Sequence, residues 1–304
     1  MTISGYLIEK YNDMGNAYSY RRLQEEAQKQ NIDLKMLGVY DTCINGNDCY
    51  NCGKLLENKD FVINRYKYGK IKDSINQFGQ KSYNNLQALN TYINKWEQIK
   101  NIDSKYFIKP KYIVGCCDLL FSLLADMLKL PFVAKGLESS MGQEVFLIKN
   151  KTDYVSLAKL FSPNKEWLFE EFIASSYGRD MRLYCVRGEV VAAMERCSLA
   201  DFRANVALGA NVKKIAILPE FHDIAQDIYR ASNLDFVGLD LLYGKDVPYF
   251  CEINVTAGLE GIEKATNVNV AGIVVNIIKG DFNAGEKRGR KLCLSIVFKG
   301  CKSS

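Results

Sequence analysis

The residues here that can do chemistry are carboxylates, amides, lysines and arginines. Among 304 residues there is a single histidine, His222, in a helical stretch after Pro219. His-based metal sites and Ser-His-Asp triads therefore lack their imidazoles. The densest candidate lies in residues 236–263, FVGLDLLYGKDVPYFCEINVTAGLEGIE. Two strand-like runs, FVGLDLLY and PYFCEIN, are joined by a short turn through Gly244, Lys245 and Asp246. In an antiparallel pair turning near Asp246, Asp240 stands opposite Glu252, and Asn254 shares the face of Glu252. Two carboxylates and an amide oxygen at one spot are a hard-oxygen set, suited to magnesium with phosphate oxygens completing its octahedron. Taken alone, the pair also reads as a hairpin carrying its charges to solvent.

A second candidate is PFVAKGLESSMGQEVFLI, residues 131–148. It reads as a strand ending at Lys135, a loop through Ser139, Ser140 and Gly142, and a strand from Val145. A lysine closing a strand before a loop of small residues suits phosphate: the ammonium supplies charge and the bare backbone lets N–H groups approach. It is not a Walker A loop, since no GK[ST] opens a helix, and small polar residues are also what an ordinary hairpin turn prefers. Glu144 in this loop either repels phosphates or points outward. Glu170 and Glu171 end a strand, WLFEEFI, where solvent would hold them. Arg182 alternates with Met181, Leu183 and Cys185, an outward-facing strand position. Arg65 closes a strand, at the end where open α/β sheets bind ligands.

The elements that must position these residues follow from periodicity. Residues 3–9 (ISGYLIE) read as a strand, 18–30 (YSYRRLQEEAQKQ) as an amphipathic helix, and 34–40 and 60–66 as further strands. That order predicts a small α/β lobe with a parallel sheet. Leu86, Leu89, Ile93, Trp96 and Ile99 recur at helical spacing and predict one helix over 82–100 with Lys95 on its surface. A polar linker, 103–111, leads to a helix over 118–129. Residues 181–197 read as two strands joined at Arg187–Gly188, with Arg196 at the end of the hairpin. DFRANVALGA (201–210) is a loop carrying Arg203 and Asn205, and helices cover 219–233 and 261–279. The last stretch, 281–304, is basic and then apolar and fits no element.

Composition sets the class. Apolar residues make up 48% and charged residues 25%, with a net charge of +5; these are ordinary soluble values. The mild positive charge favours anionic ligands and is too dispersed for nucleic acid. No apolar run approaches the ~20 residues that span a bilayer, and the first ten residues lack the segments of a signal peptide. The expectation is a cytoplasmic protein with no membrane partner. Ten cysteines without a secretion signal read as reduced thiols, with Cys185, Cys197 and Cys251 acting as small hydrophobes. Cys43, Cys49 and Cys52 sit in a polar loop that includes a CxxC, where a zinc or redox role lacks a fourth ligand.

Several of these segments, in this order, resemble the RimK-type α-L-glutamate ligases of the ATP-grasp superfamily, from Ile3 to about Lys279. The most specific are ERCSLADFRANVALGA (195–210) and FVGLDLLY…CEINVTAGLEGIEKATNVNVAG (236–272), followed by PFVAKGLESSMGQEV, FEEFI, YSYRRLQEEAQKQ and DFVINRY. The resemblance implies an α/β ATP-grasp fold: a parallel N-terminal lobe (1–90), then a central lobe with the phosphate loop (91–169) and a C-terminal lobe with the metal site (170–280), which clamp ATP between antiparallel sheets. Residues 281–304 stay unplaced. It implies that Lys95 and Lys135 contact ATP phosphates with Ser140 and Gly142, that Glu171, Phe172 and Ile173 form the adenine hinge, and that Asp180 contacts ATP at the ribose. Arg203 and Asn205 would face the nucleotide and acyl phosphate, and Asp240, Glu252 and Asn254 would ligate magnesium, two ions in all, with manganese as a substitute. Arg203, Lys135 and Arg182 would be catalytic; Arg65, Arg182 and Arg196 would face a substrate carboxylate. The chemistry implied is an ATP-dependent carboxylate–amine ligation through an acyl phosphate. It would join glutamate or a similar amino acid to a peptide, a protein tail, a carrier or a small amine acceptor. The alternatives are a peptide ligase or cyclase of a biosynthetic pathway, a kinase, and an ATP-binding regulator that no longer ligates. Homo-oligomerisation is left open. Thr256 and Ala257 replace the family's Ser-Pro beside the metal ligands.

Overall fold

Strand and helix patterns alternating at the N-terminus build a parallel sheet, as right-handed crossovers require. The computed structural model describes residues 2–11, 17–139, 142–205 and 209–283. Ser140, residues 206–208 of the DFRANVALGA loop and the tail after 283 lie outside them. Strand β1 (Ile3–Glu9) is followed by helix α1 (Tyr18–Lys29), and β2 (Ile32–Gly38) pairs with β1 in parallel. A small antiparallel meander, β3 (Thr42–Asn45), β4 (Asp48–Asn51) and β5 (Lys54–Leu55), carries the three cysteines. Cys49 is buried with Val39 and Leu56 in the lobe core, while Cys43 and Cys52 are exposed, all as free thiols. Strand β6 (Lys59–Asn64) pairs with β1 in parallel, and after α2 (Lys70–Asn76) comes β7 (Gly79–Tyr83), giving the order β2-β1-β6-β7.

The expected single helix over 82–100 is two, α3 (Leu86–Tyr92) and α4 (Lys95–Asn101). Asparagine side chains make the break. Asn85 accepts from the N–H groups of Gln87 and Ala88, and Asn94 accepts from that of Trp96, so each caps a new N-terminus. The apolar spacing ran through the break because both helices bury Leu89 and Ile99 in one core.

Next come β8 (Tyr112–Cys116), α5 (Phe121–Leu128), β9 (Phe132–Gly136), β10 (Val145–Ile148), α6 (Lys151–Leu160) and β11 (Glu166–Glu171). Then β12 (Arg179–Val186), β13 (Glu189–Cys197), β14 (Asn211–Lys214), α7 (Pro219–Ser232), β15 (Phe236–Leu242), β16 (Tyr249–Asn254) and α8 (Glu260–Thr266) complete the series. They form two antiparallel sheets, β10-β9-β11-β8 and β14-β13-β12-β15-β16. Arg187 and Gly188, both at positive φ (47° and 83°), make the β12–β13 turn, the conformation a two-residue hairpin demands. Helices α5 and α6 cover one face of the four-stranded sheet through Leu124, Leu128, Tyr154 and Leu157. Helix α7 covers the five-stranded sheet through Phe221, Ile224 and Ile228.

The expected helix over 261–279 is also interrupted. Asn267 takes a left-handed φ of 57° and ends α8, as an αL residue does, and a new helix, α9, runs over 270–283. The described chain divides into two compact units: one holds residues up to Ser82 and from Asn269 onward, the other is Tyr83–Val268. Within the first unit α9 is tied to α1, where Arg22 donates to Asn269 (2.8 Å) and Lys279 donates to the Gln30 carbonyl (3.0 Å). No helix of the described residues is long and apolar enough to cross a membrane.

Candidate active site

A row of charge crosses one face of the five-stranded sheet. Strand register puts Arg196 opposite Asp180, Arg182 opposite Asp240, and Asp240 opposite Glu252. Because side chains alternate, these residues share one face, while Met181, Leu183, Leu239, Leu241 and Ile253 point into the core on the other. The constant register sum that places Asp240 against Glu252 fails immediately afterwards, since Leu241 pairs with Phe250. Cys251 is therefore the extra residue of a β-bulge, and it joins Glu252 on the face that the alternation would have denied it.

Ion pairs lock the row. Arg182 grips Asp240 with two parallel bonds, Nε to Oδ1 (2.6 Å) and Nη2 to Oδ2 (2.5 Å). Arg196 does the same to Asp180 (2.7 and 2.6 Å) and reaches Asp240 Oδ2 (2.8 Å). All four are buried. Burial raises the Asp180 carboxyl, against the pull of Arg196, to about 6. Burial acts on Asp240 in the same sense, but two guanidiniums outweigh it and hold that carboxyl below its ordinary value.

The other wall is the four-stranded sheet. Val133, Lys135 and Glu170 line the cavity, while Phe132, Ala134, Trp167 and Phe169 on the reverse face pack under α5 and α6. Lys135 pairs with Glu170 Oε2 at 2.5 Å and lies 3.8 Å from the Cys251 sulfur. Burial works against its charge, yet the Glu170 and Glu252 carboxylates push its pKa upward, so Lys135 is held as the cation. The Cys251 thiol is driven by burial to about 12; it is an inert wall here. Glu170 Oε1 is buried without a hydrogen-bond partner in this wall.

Lys95 is not on a helix surface. The cap at Asn94 starts α4 one residue before it, and the Lys95 N–H donates to the Leu137 carbonyl (2.8 Å). Its ammonium donates to the carbonyls of Ser139 (2.7 Å) and Gly136 (3.3 Å) and lies 3.8 Å from Glu252. Burial lowers its pKa. Arg203 donates to the Gly142 carbonyl (2.6 Å) and to Asp201 (2.6 Å), which ties the far end of the phosphate loop to the DFRAN loop. Gly142 has φ +72°, and a Cβ there would stand 3.1 Å from Asn205 Nδ2. Glu144 turns to Lys165, away from the cavity lining.

The cavity, about 850 Å³ including its open mouth, is lined by Lys95, Lys135, Ser139, Gly142, Glu171, Phe172, Ile173, Asp180, Arg196, Arg203, Asn205, Asp240 and Glu252. Asn254 is not in the lining; its Oδ1 accepts from the Thr256 N–H (3.2 Å). Arg182 lies behind Asp240. Arg65 belongs to the other unit, where it pairs with Glu9 (3.0 Å). Sequence reasoning missed Glu170 and Cys251. Glu170 shares a strand face with Leu168, two residues before it, and that alternation was a readable signal; the bulge at Cys251 left none.

The donor set can be tested against magnesium. An ionised carboxylate offers about four lone-pair sites, and Asp240 spends three on arginines, which leaves one on Oδ1. The Glu252 carboxylate faces the cavity with Lys95 as its ion-pair partner at 3.8 Å. Among the described residues no three His, Cys, Asp or Glu side chains converge as a metal cluster, so further oxygens must come from Asn254, water or phosphate. That is the ligand mixture magnesium prefers.

A family model described as the RimK-like ATP-grasp domain matches residues 112–278. A ribosomal protein bS6–L-glutamate ligase of Salmonella newport is 30% identical over 283 residues, covering 87% of this chain and 93% of that one. A "probable alpha-L-glutamate ligase" of Parasynechococcus marenigrum is 28% identical over 281 residues, and the match spans 59% of its length. Among solved structures, D-alanine–D-alanine ligase of Bacillus anthracis complexed with ATP superposes with a TM-score of 0.68 at 16% identity, covering 95% of this chain and 99% of that one. An ATP-grasp ligase of Chryseobacterium gregarium in complex with ADP and a leader and core peptide gives 0.69 at 16% identity, covering 92% and 97%.

Proposed function

The chain belongs to the RimK-like ATP-grasp family, and from that membership we propose that it is an ATP-dependent carboxylate–amine ligase that adds glutamate or a comparable amino acid to a peptide or protein acceptor. One observation carries the reading: two antiparallel sheets enclose a cavity lined by Lys95, Lys135, Arg203, Asp240 and Glu252 together.

Each group has a task in that cavity. Lys135, held as the cation, and Lys95, fixed at the loop carbonyls, offset the charge that builds on transferred phosphoryl oxygens. Glu171, Phe172 and Ile173 border the adenine end, and the unpartnered Glu170 oxygen accepts from the exocyclic amine. Asp180 meets the ribose. Arg203 and Asn205 close over the phosphates with Gly142. Magnesium held by Asp240, Glu252 and Asn254 would neutralise phosphate oxygens and align the γ-phosphoryl group for attack by the acceptor carboxylate. That transfer releases ADP and leaves an acyl phosphate, from which the incoming amine displaces inorganic phosphate and gives up a proton to form the amide, while the loop that starts at Ser139 keeps water from it. Arg182, its fork spent on Asp240, positions that carboxylate, and Arg196 borders the cavity on the substrate side while clasping Asp180.

The test is ADP release against an amino-acid panel, with and without peptides ending in a free carboxylate, with products read by mass spectrometry. Amide product and ADP in equal amounts are expected only when both substrates are present. Asp240→Asn and Glu252→Gln should each abolish ADP release at ordinary magnesium. ADP released at the same rate without any amide sinks the ligase reading, and full turnover in both variants sinks the metal assignment.

A further inference from the structure

The proposed magnesium ligands Glu252 and Asn254 sit on β16, the outermost strand of the five-stranded sheet. An edge strand leaves main-chain N–H and C=O groups without a ladder partner. At the start of this edge, main-chain bonds with Ile108 cover Pro248 and Phe250 (3.0 and 2.9 Å). Beyond the bulge at Cys251 the cover passes to a side chain. Gln98 Nε2 donates to the Ile253 carbonyl (2.9 Å), and the Ile253 N–H donates to Gln98 Oε1 (2.7 Å). A carboxamide thus makes the two bonds that a further strand would make there. Nε2 also donates to the Tyr92 carbonyl (2.6 Å), so both donors of the amide are engaged, and the side chain is buried.

Ile253 lies between Glu252 and Asn254, with its own side chain in the core behind the sheet. Its N–H belongs to the peptide plane that follows Glu252, and its C=O to the plane that precedes Asn254. Holding both groups fixes the two planes, and with them the directions in which the neighbouring side chains leave the strand. A bulge disrupts the ladder at its own position, so the stretch just after Cys251 gains most from a hold on its outer side. The same turn of α4 supplies a second grip, since residues three apart on a helix are neighbours. Lys95 has its ammonium 3.8 Å from Glu252 Oε2 and bonds the Ser139 carbonyl at 2.7 Å. The geometry points to Gln98 as a positioning residue that, with Lys95, sets Glu252 and Asn254 for the divalent cation. Gln98 itself does not line the cavity, and its role rests on the magnesium site proposed above.

Calorimetry of ADP binding to the full chain, titrated with magnesium and repeated in EDTA, tests this role. Gln98→Met keeps the volume and removes both bonds to Ile253. It should raise the magnesium concentration that half-tightens ADP binding by about 10–100-fold, the usual loss when the partner supporting a metal ligand is removed. ADP affinity in EDTA should stay at the wild-type value. Gln98→Asn keeps the carboxamide but withdraws it by one methylene; it should show the same split, and it serves if the methionine variant does not fold. Ile99→Ala, a buried change on the same helix, should lower the melting temperature without moving the magnesium midpoint.

Glu252→Gln tells the two levels apart. If that variant keeps the wild-type magnesium midpoint, the donor set fails and the positioning role with it. If Glu252→Gln shifts the midpoint while both Gln98 variants keep it, the positioning role fails alone. ADP affinity that falls equally with and without magnesium in the Gln98 variants, or an equal magnesium shift in Ile99→Ala, also overturns it.

Discussion

At the scale of single residues, the site is held by charges that have left water in pairs. Arg196 is the keystone, since it bonds both Asp180 and Asp240 and all three are buried. Removing one member of such a network strands the others, which typically costs about 3–5 kcal/mol. Arg196→Met should lower the unfolding free energy in urea by that order and weaken ATP binding with it. A loss below about 1 kcal/mol would mean that the carboxylates find other partners. Asp240 itself is doubly informative. Its place opposite Glu252 was legible from a constant register sum, yet its clasp by two arginines was not, because a guanidinium reaches across strands that sequence alone does not align. Arg182 shows the same limit. Alternation correctly turns it away from the core, but the outward direction leads to the buried Asp240 carboxylate rather than to solvent.

Elements decide how those residues are aimed. The break between α3 and α4 is a local event, two asparagine caps, with a distant consequence: Lys95 begins α4 instead of riding mid-helix, and its ammonium is fixed at the phosphate-loop carbonyls. Asn94→Ala removes one capping bond, a change worth about 0.5–2 kcal/mol. The expected result is a modest fall in melting temperature accompanied by a larger rise in the ATP concentration needed for half-saturation. Unchanged nucleotide affinity would separate the cap from the lysine's placement. The two missed helix breaks, at Asn94 and Asn267, share a cause. The apolar period continued across each, and asparagine, tolerated inside helices, becomes a terminator only when its side chain caps or its backbone turns left-handed. The bulge at Cys251 is the strand counterpart. One inserted residue changes which side chains face the cavity, and composition carries no mark of it.

At the scale of the whole molecule, every residue lining the cavity lies within Tyr83–Val268, so ligand binding should stabilise that unit directly. Ligand at 100 times its dissociation constant contributes about 2.7 kcal/mol, and for a unit of this size each kcal/mol moves the melting temperature by roughly 2–4 °C. ATP with magnesium should therefore raise the transition by about 5–10 °C in differential scanning calorimetry. The Asp240→Asn variant should lose the part that depends on magnesium. A shift of equal size with and without the metal would argue against the proposed donor set.

The sequence by itself determined the strand–helix–strand start of the chain, the hairpin register that opposes Asp240 and Glu252, and the small-residue loop after Lys135. Each of these rests on periodicity and turn chemistry within a few neighbouring residues. Its motifs in order also carried the family. Only the tertiary structure decided that Glu170 and Lys135 pair inside a wall, that Asp180 shares Arg196 with Asp240, and that the charged face of one sheet looks onto the charged face of another. The reason is burial. Whether a carboxylate on a strand meets water or a guanidinium depends on which second sheet covers it, and that is settled by contacts far apart in the chain.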